Sequence, residues 1–359
     1  MLIDTQAGLR AAVDKFTGRD WLTVDTEFVR EETYWPQLCL IQVGDGSTEV
    51  AVDATRIADL SPLLDLLQNP ASVSVFHAAS QDLEIFVRLR GVAPTPLFDT
   101  QIAASLLGIG DQLGYAALVE QRLGIKVDKT LSRTNWARRP LSAAELTYAE
   151  DDVRHLAVIY PTLRDELATR GRLGWLEEDC ARLSRPERYS VQPEAAWERL
   201  KGLARLPVPA QHVAAALAAW RERLAAARDR PRKWILADDA LYRIAERQPI
   251  DTEQLVALQV LPPKTVERHA AELLRVVASA RDTGAPALAL EQLPSEAQKA
   301  RTQKLLTRVR EIAQELGIPS SLLAPRADVE AVALRGAEAE VPLLSGWRRE
   351  VAGEALLKL

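Results

Sequence analysis

The chain has only two cysteines in 359 residues, which excludes a disulfide-stabilised scaffold. Cys39 falls in a predicted strand and Cys180 in a predicted helix, without the paired spacing of a zinc site, so we expect both to be reduced core residues. No stretch approaches the roughly 18 consecutive apolar residues of a membrane span. The first residues also lack a basic region followed by an apolar one. These absences predict a cytoplasmic protein without a membrane segment.

Positive charge is not in excess either. The net charge is −5 and the pI about 5.6, which argues against a surface coated with cations for bulk nucleic-acid binding. A local exception is the segment 129–144, which contains one Lys, three Arg, a Trp and no acid. Such a run is either a solvated loop or, beside a metal site, a loop that contacts phosphate.

The length fits two or three domains. Strand and helix patterns alternate over residues 1–190 and predict an α/β domain with a mixed sheet. Period-two or β-branched runs predict strands at 21–28, 38–43, 49–52 and 72–76. Helical spacing predicts helices near 60–68, 80–90, 99–107, 114–123 and 142–169.

Beyond residue 190 the strand pattern fades, and Ala, Leu and Arg dominate an all-helical half. We predict two helical units, 194–280 and 294–359, joined by a linker around 282–294. A loose internal repeat supports them, because Arg221-Glu222 and Pro231 recur as Arg310-Glu311 and Pro319. The first unit offers a candidate basic surface of six residues: Arg221, Arg223, Arg228, Arg230, Arg232 and Lys233.

Two acids stand in the first strong strand pattern. Asp25 and Glu27 are two residues apart, so the alternation of a strand turns both side chains to one face. Two carboxylates on one face of a hydrophobic sheet are costly unless a cation lies between them. Divalent cations prefer such oxygen ligands. The segment therefore predicts a metal site on a strand.

Three later residues are candidates to complete this site. Asp82 follows a predicted strand, with Ser80 as a candidate N-cap, and taken singly it could be a first-turn acid favoured by the helix dipole. Tyr148 and Asp152 lie four apart and share a helix face, but alone they could be a solvated acidic cluster beside a half-buried tyrosine.

Together these residues reproduce, in order, the three motifs of the DEDD exonucleases in the subgroup with tyrosine in the third motif. The chain resembles the ribonuclease D family. The surrounding sequence carries the resemblance as well, at 35–42 after the first motif, at 77–83 around the second and at 136–148 before the third. Residues 194–280 resemble the HRDC helical domain, with Trp197, Trp220 and Tyr242 among the similar positions.

The resemblance implies an RNase H-like exonuclease domain at 1–190, an HRDC domain at 194–280 and a divergent second HRDC-like domain at 294–359. It implies two divalent cations, Mg²⁺ or Mn²⁺, about 4 Å apart around the scissile phosphate. Asp25 would bridge both cations, Glu27 and Asp152 would bind the one that holds the attacking water, and Asp82 the one near the leaving oxygen. Tyr148 would orient the water.

The resemblance also implies a monomeric 3′-5′ exoribonuclease that trims structured RNA precursors, tRNA above all, and releases nucleoside 5′-monophosphates. Phe28, Lys129 and Arg133 are the expected substrate contacts. Two alternatives stay open, a DNA 3′-5′ exonuclease and a non-catalytic nucleic-acid-binding adaptor. No phosphate-binding loop of the form GxxxxGK[ST] occurs in the sequence, which excludes an ATP-driven helicase of that type.

Overall fold

The computed structural model describes residues 1–128, 130–131, 134–281 and 295–359. The chain forms two compact units. The first comprises residues 1–29, 38–189 and 295–359, and the second comprises residues 30–37 together with the described part of 190–294.

A six-stranded mixed sheet forms the centre of the first unit. Its strands are β1 (Leu2–Ile3), β2 (Trp21–Val29), β3 (Gln37–Gly44), β4 (Glu49–Asp53), β5 (Val73–Phe76) and β6 (Leu97–Asp99). Their order is β1-β4-β3-β2-β5-β6. β3 and β4 pair antiparallel, whereas β1 with β4, β2 with β5, and β5 with β6 are parallel. The predicted α/β domain with a mixed sheet is confirmed.

Helices cover this sheet and bury its apolar residues. They are α1 (Gln6–Phe16), α2 (Ser61–Leu67), α3 (Ser80–Arg90), α4 (Thr100–Leu106), α5 (Tyr115–Leu123), α6 (Ala143–Thr169) and α7 (Leu173–Leu183). The long α6 starts at a capping box, in which Ser142 and Glu145 each bond the other's backbone N–H. Across the described residues, the helices are all too short or too polar to cross a bilayer.

The turn before α3 differs from the predicted cap. The N-cap residue is Ala79, and Ser80 is the first helical residue, so the expected serine cap is wrong. Asp99 stabilises this turn instead. Its carboxylate accepts hydrogen bonds from the N–H groups of Ala78 and Ala79. Ala78 itself has a positive φ of 56°, which lets the chain turn sharply from β5 into α3.

Residues 295–359 share the hydrophobic core of the sheet unit rather than forming a core of their own. Trp347 stacks on Trp175 with ring centroids 4.4 Å apart, and Arg348 forms a buried ion pair with Asp179. The helical segments here are α13 (Glu296–Leu316), α14 (Ser320–Leu323), α15 (Arg326–Arg335), α16 (Gly346–Arg348) and α17 (Glu354–Leu357). The bounds 294–359 of the second HRDC-like domain stay a prediction.

The second unit is helical. Its helices are α8 (Val208–Arg228), α9 (Arg232–Ile235), α10 (Asp238–Arg247), α11 (Thr252–Ala257) and α12 (Pro263–Arg281). The loop between β2 and β3 packs in this unit, where the Tyr34 hydroxyl donates a 2.5 Å hydrogen bond to the buried Glu222. Helix lengths support the predicted repeat, because α8, α9 and α10 have 21, 4 and 10 residues, and α13, α14 and α15 have the same lengths in the same order.

The six cations between residues 221 and 233 do not form one free basic surface, so that prediction is wrong. Arg221 is only 7% exposed and pairs with Asp238. Arg223 pairs with Glu194. Arg232 binds the carboxylate of Glu222 and the hydroxyl of Tyr34. Three of the six cations therefore serve intramolecular ion pairs.

Candidate active site

The acids of β2 and α6 converge at one place. Carboxylate oxygens of Asp25, Glu27 and Asp152 all lie within 4.8 Å of one another. The strand alternation places Asp25 and Glu27 together, and α6 packs against β2 and delivers Asp152. Three of the four predicted acids thus form one cluster.

Asp82 lies beside this cluster but outside the group of three. Its carboxylate accepts a hydrogen bond from the hydroxyl of Thr26, the residue between the two strand acids. Asp82 is 7% exposed, and burial followed by the charge of Asp25 raises its pKa well above the ordinary value. Sequence reasoning did not find Thr26, whose side chain ties the second predicted motif to the first.

The acid cluster is electrostatically strained. Burial, followed by the charge of Asp152, raises the pKa of Asp25 well above its ordinary value. Burial and the neighbouring acids Asp25, Asp152 and Asp82 raise the pKa of Glu27 to about 10. Burial raises the pKa of Asp152 to about 7, although a hydrogen bond from Tyr115 opposes it. Each carboxylate resists ionisation because no cation of the described chain compensates it.

The donor set fits divalent cations. It offers only carboxylate oxygens, which are the ligands that Mg²⁺ and Mn²⁺ prefer. A bound cation would reverse the repulsion that raises these pKa values. The cluster therefore matches the predicted metal site in residue type and position.

Tyr148 lies next to these acids on α6. Its ring stacks on the buried Trp136 with centroids 6.1 Å apart. Burial and then the charges of Asp152, Glu27 and Asp25 raise the pKa of Tyr148 above its ordinary value. Its hydroxyl therefore keeps its proton throughout the neutral range and can donate a hydrogen bond.

Tyr115, at the start of α5, is a site residue that the sequence did not reveal. Its hydroxyl lies 3.1 Å from the carbonyl oxygen of Asp152, 2.9 Å from that of Asp151 and 3.0 Å from Nδ1 of His155. It also hydrogen-bonds the Asp152 side chain. No local pattern marks it, because its role depends on α5 packing against α6.

His77, which the sequence analysis did not include among the site residues, packs beside Tyr115 with ring centroids 5.9 Å apart. The Thr100 hydroxyl donates to the Phe76 carbonyl and lies 2.9 Å from Nδ1 of His77. Since that hydroxyl has one proton, Nδ1 of His77 must be the donor to its oxygen. Burial lowers the pKa of His77. His77 is therefore neutral, and its role beside Tyr115 is structural.

The structure describes one of the three predicted substrate contacts. Phe28 is half-buried in β2, next to Glu27. Lys129 and Arg133 lie outside the described residues. The remaining arginines of the predicted basic loop are structural, because Arg138 pairs with Glu145, and Arg139 binds the buried Asp53.

Comparisons with known proteins agree with this arrangement. Residues 1–168 match the family described as 3′-5′ exonuclease, and residues 210–277 match the HRDC domain. The chain is 38% identical to the ribonuclease D of Granulibacter bethesdensis over 100% of this chain and 92% of that protein. It is 40% identical to the ribonuclease D of Nitrobacter hamburgensis over 100% of this chain and 94% of that protein.

Among solved structures, Escherichia coli RNase D, described as an exoribonuclease involved in structured RNA processing, superposes with a TM-score of 0.90. The identity is 30%, and the match covers 100% of this chain and 97% of that one. A protein from Bifidobacterium adolescentis shares the fold with a TM-score of 0.72 at 21% identity. Because it is 38% and 40% identical to two ribonuclease D proteins over its full length, the chain belongs to the ribonuclease D family.

Proposed function

We propose that this protein is a 3′-5′ exoribonuclease that hydrolyses the terminal phosphodiester of RNA and releases nucleoside 5′-monophosphates. The observation that carries the proposal is the convergence of Asp25, Glu27 and Asp152 within 4.8 Å, with Asp82 beside them. Membership of the ribonuclease D family supports RNA as the substrate. An adaptor without catalysis would have no need to retain this strained cluster.

Asp25, Glu27, Asp82 and Asp152 would hold two divalent cations, Mg²⁺ or Mn²⁺. When bound, such ions make water more acidic and neutralise charge on the phosphate and the leaving oxygen. The geometry supports this assignment, because Asp25, Glu27 and Asp152 lie within 4.8 Å of one another and Asp82 accepts a hydrogen bond from Thr26 of the same strand. These four acids are thus assigned to cation binding rather than to proton transfer.

Tyr148 would orient the attacking water. Because its hydroxyl stays protonated next to the acids, it donates a hydrogen bond and does not serve as a base at neutral pH. The stacking of its ring on Trp136 fixes the direction of that hydroxyl. Phe28 would lie beside the last base, and Lys129 and Arg133 would contact phosphates.

The substrates would be 3′-extended structured RNAs, including tRNA precursors, processed by a monomer in the cytoplasm. Support comes from the RNase D of Escherichia coli, described as acting in structured RNA processing. The HRDC domain would contribute to holding the RNA.

The decisive experiment uses a 5′-labelled tRNA with a 3′ extension and a DNA oligonucleotide of the same extension sequence. We expect stepwise shortening of the RNA that requires Mg²⁺ or Mn²⁺, with mononucleotides as the product. Asp25→Asn should reduce the rate at least about a thousandfold, because a metal ligand supports several kcal/mol of transition-state stabilisation. Asp45→Asn, in the β3–β4 turn, is the matched control.

The assay also separates the exoribonuclease from a DNA exonuclease, and it tests the acid cluster. Faster shortening of the DNA than of the RNA would favour a DNA exonuclease, since the same metal chemistry cleaves either backbone. Undiminished hydrolysis by Asp25→Asn would refute the assignment of the acid cluster.

A further inference from the structure

One tryptophan of the second unit stands apart from the others. Seven of the eight tryptophans are buried or half-buried, whereas Trp234 exposes 51% of its surface. It lies in the four-residue helix α9. A large aromatic ring left in water forgoes the free energy of burial. The exposed ring is therefore available to a partner from outside the folded chain.

Helix α9 holds this ring on a rigid support. Arg232 binds the buried Glu222 and lies over the ring of Tyr34, with its guanidinium carbon 4.5 Å from the ring centroid. Ile235, 8% exposed, packs in the small core with Tyr34. With the first and last residues of α9 anchored, Trp234 and the exposed Lys233 project between them into solvent.

Arg230, beside the ring, and Lys233, the preceding residue in the chain, have no acidic partner among the residues that the structure describes. The guanidinium of Arg230 lies 5.8 Å from the centroid of Trp234, and its one hydrogen bond, 3.4 Å long, goes to the carbonyl of Glu32. Within residues 1–128, 130–131, 134–281 and 295–359, no carboxylate forms an ion pair with Arg230 or Lys233. Arg221, Arg223 and Arg232 of the same region are all paired. Positive charge thus remains available beside the exposed ring.

We propose that Trp234, Arg230 and Lys233 form a binding site for an unpaired nucleotide of the RNA substrate. The base would stack on the indole, and the two cations would contact the flanking phosphates, which is the combination that single-stranded nucleic acids require. An acidic peptide would match the cations but would leave the flat indole face unused. The inference rests on the proposed function, because it takes RNA as the substrate.

The test measures equilibrium binding of the full chain to a fluorescently labelled RNA hairpin with an unpaired 3′ tail. All proteins carry Asp25→Asn, so that the RNA stays intact. Trp234→Ala should weaken binding at least about fivefold, and Trp234→Phe should restore most of the affinity, because stacking contributes to affinity with every aromatic ring. Arg230→Gln with Lys233→Gln should reduce the slope of log affinity against log salt by about 0.7 per cation.

Val256→Ala is the matched control, since Val256 is a 53% exposed apolar residue of the same unit. Photocrosslinking of the protein with native Trp234 to RNA that carries 4-thiouridine in its tail supplies a second measurement without a substitution at the site. The crosslinked peptide should contain Trp234. Binding by Trp234→Ala at the level of Val256→Ala, or crosslinks that avoid α9, would overturn the proposal.

The two proposals fail separately. If the protein with native Asp25 shortens RNA while Trp234→Ala binds RNA normally, only this site is refuted. If Trp234 crosslinks to RNA but no metal-dependent shortening occurs, the binding site stands and the exoribonuclease proposal falls.

Discussion

The carboxylate of Asp99 accepts a 2.8 Å hydrogen bond from the backbone N–H of Ala79. It also accepts bonds from the N–H groups of Ala78, Gln101 and Ile102, so one buried side chain fixes both the turn before α3 and the start of α4. Since α3 carries Asp82, Asp99 positions an acid of the site without touching the substrate.

Asp99→Asn should therefore lower both stability and activity. The amide nitrogen cannot accept a hydrogen bond, so at least one buried N–H loses its partner at a cost of about 1–3 kcal/mol in the free energy of unfolding. Asp45→Asn breaks the ion pair with Arg19 in the β3–β4 turn but keeps one oxygen to accept from Ser47 and Thr48. Urea unfolding should show a loss in both variants, whereas RNA hydrolysis should fall only in Asp99→Asn. Equal activity of the two folded variants would contradict the positioning role.

A feature of this structure could be predicted from the sequence when the residues that form it lie close together in the chain. The pairing of Asp25 with Glu27 follows from strand alternation alone, and the structure confirms their common cluster. β1 and β6, with two and three residues, are too short to show a period of two, and the sequence analysis did not identify them. Arg139 lies in the segment 129–144, which the sequence analysis left open as a solvated or a phosphate-contacting loop, and its partner Asp53 lies 86 residues away. Contacts between distant segments are invisible to periodicity.

Tyr115→Phe should weaken metal binding more than it weakens the fold. The lost hydroxyl orients Asp152 from outside the cluster, and such supporting bonds typically change metal affinity by roughly 10–100-fold. Titration of Mn²⁺, with the free ion followed by electron paramagnetic resonance, measures the affinity without catalysis. Tyr242→Phe, which removes a hydroxyl bonded to the Lys201 carbonyl, is the control. Equal Mn²⁺ affinity in both variants would show that Tyr115 has a packing role only.

Metal-free protein should lose stability as pH rises. Glu27 and Asp152, with pKa values of about 10 and about 7, bind protons in the folded state that they release on unfolding above pH ~4. Above pH ~4 the folded protein binds more protons than the unfolded protein does. The free energy of unfolding therefore falls as the pH rises from ~4 through 7 and beyond. Melting temperatures in EDTA between pH 5 and 9 should show this fall.

Asp25→Asn should raise the melting temperature of the metal-free protein at pH 8, because it removes a carboxylate that repels Glu27. Asp45→Asn should lower it, since Asp45 is a hydrogen-bonded acid with a lowered pKa. Added Mn²⁺ should stabilise the protein with native Asp25 and leave Asp25→Asn almost unchanged. A stabilisation by Mn²⁺ that survives in Asp25→Asn would place the cation elsewhere.

Arg139→Met should destabilise the protein in a pH-dependent way. Arg139 binds both carboxylate oxygens of Asp53 at 2.6 Å and also the carbonyls of Cys39 and Trp136, which ties the loop under Tyr148 to the sheet. Asp53 is 1% exposed, so without the guanidinium its charge is buried with the bonds from Thr55 and a 3.9 Å ion pair to the exposed Arg56, at a cost of about 3 kcal/mol.

The sign of the pH effect follows from the pKa of Asp53. Burial raises that pKa, but the hydrogen bonds from Arg139 and Thr55 outweigh burial and hold it below its ordinary value. The pair therefore stabilises the fold above pH ~4, and this contribution disappears as pH falls through the lowered pKa. In Arg139→Met the acid protonates at higher pH, so the difference between the two proteins should be largest at pH 7 and shrink towards pH 4. Arg326→Met, which breaks the exposed pair with Glu330, should cost less than about 1 kcal/mol at either pH. A constant difference from pH 7 to pH 4 would mean that the loop contacts of Arg139, and not its charge on Asp53, account for the loss.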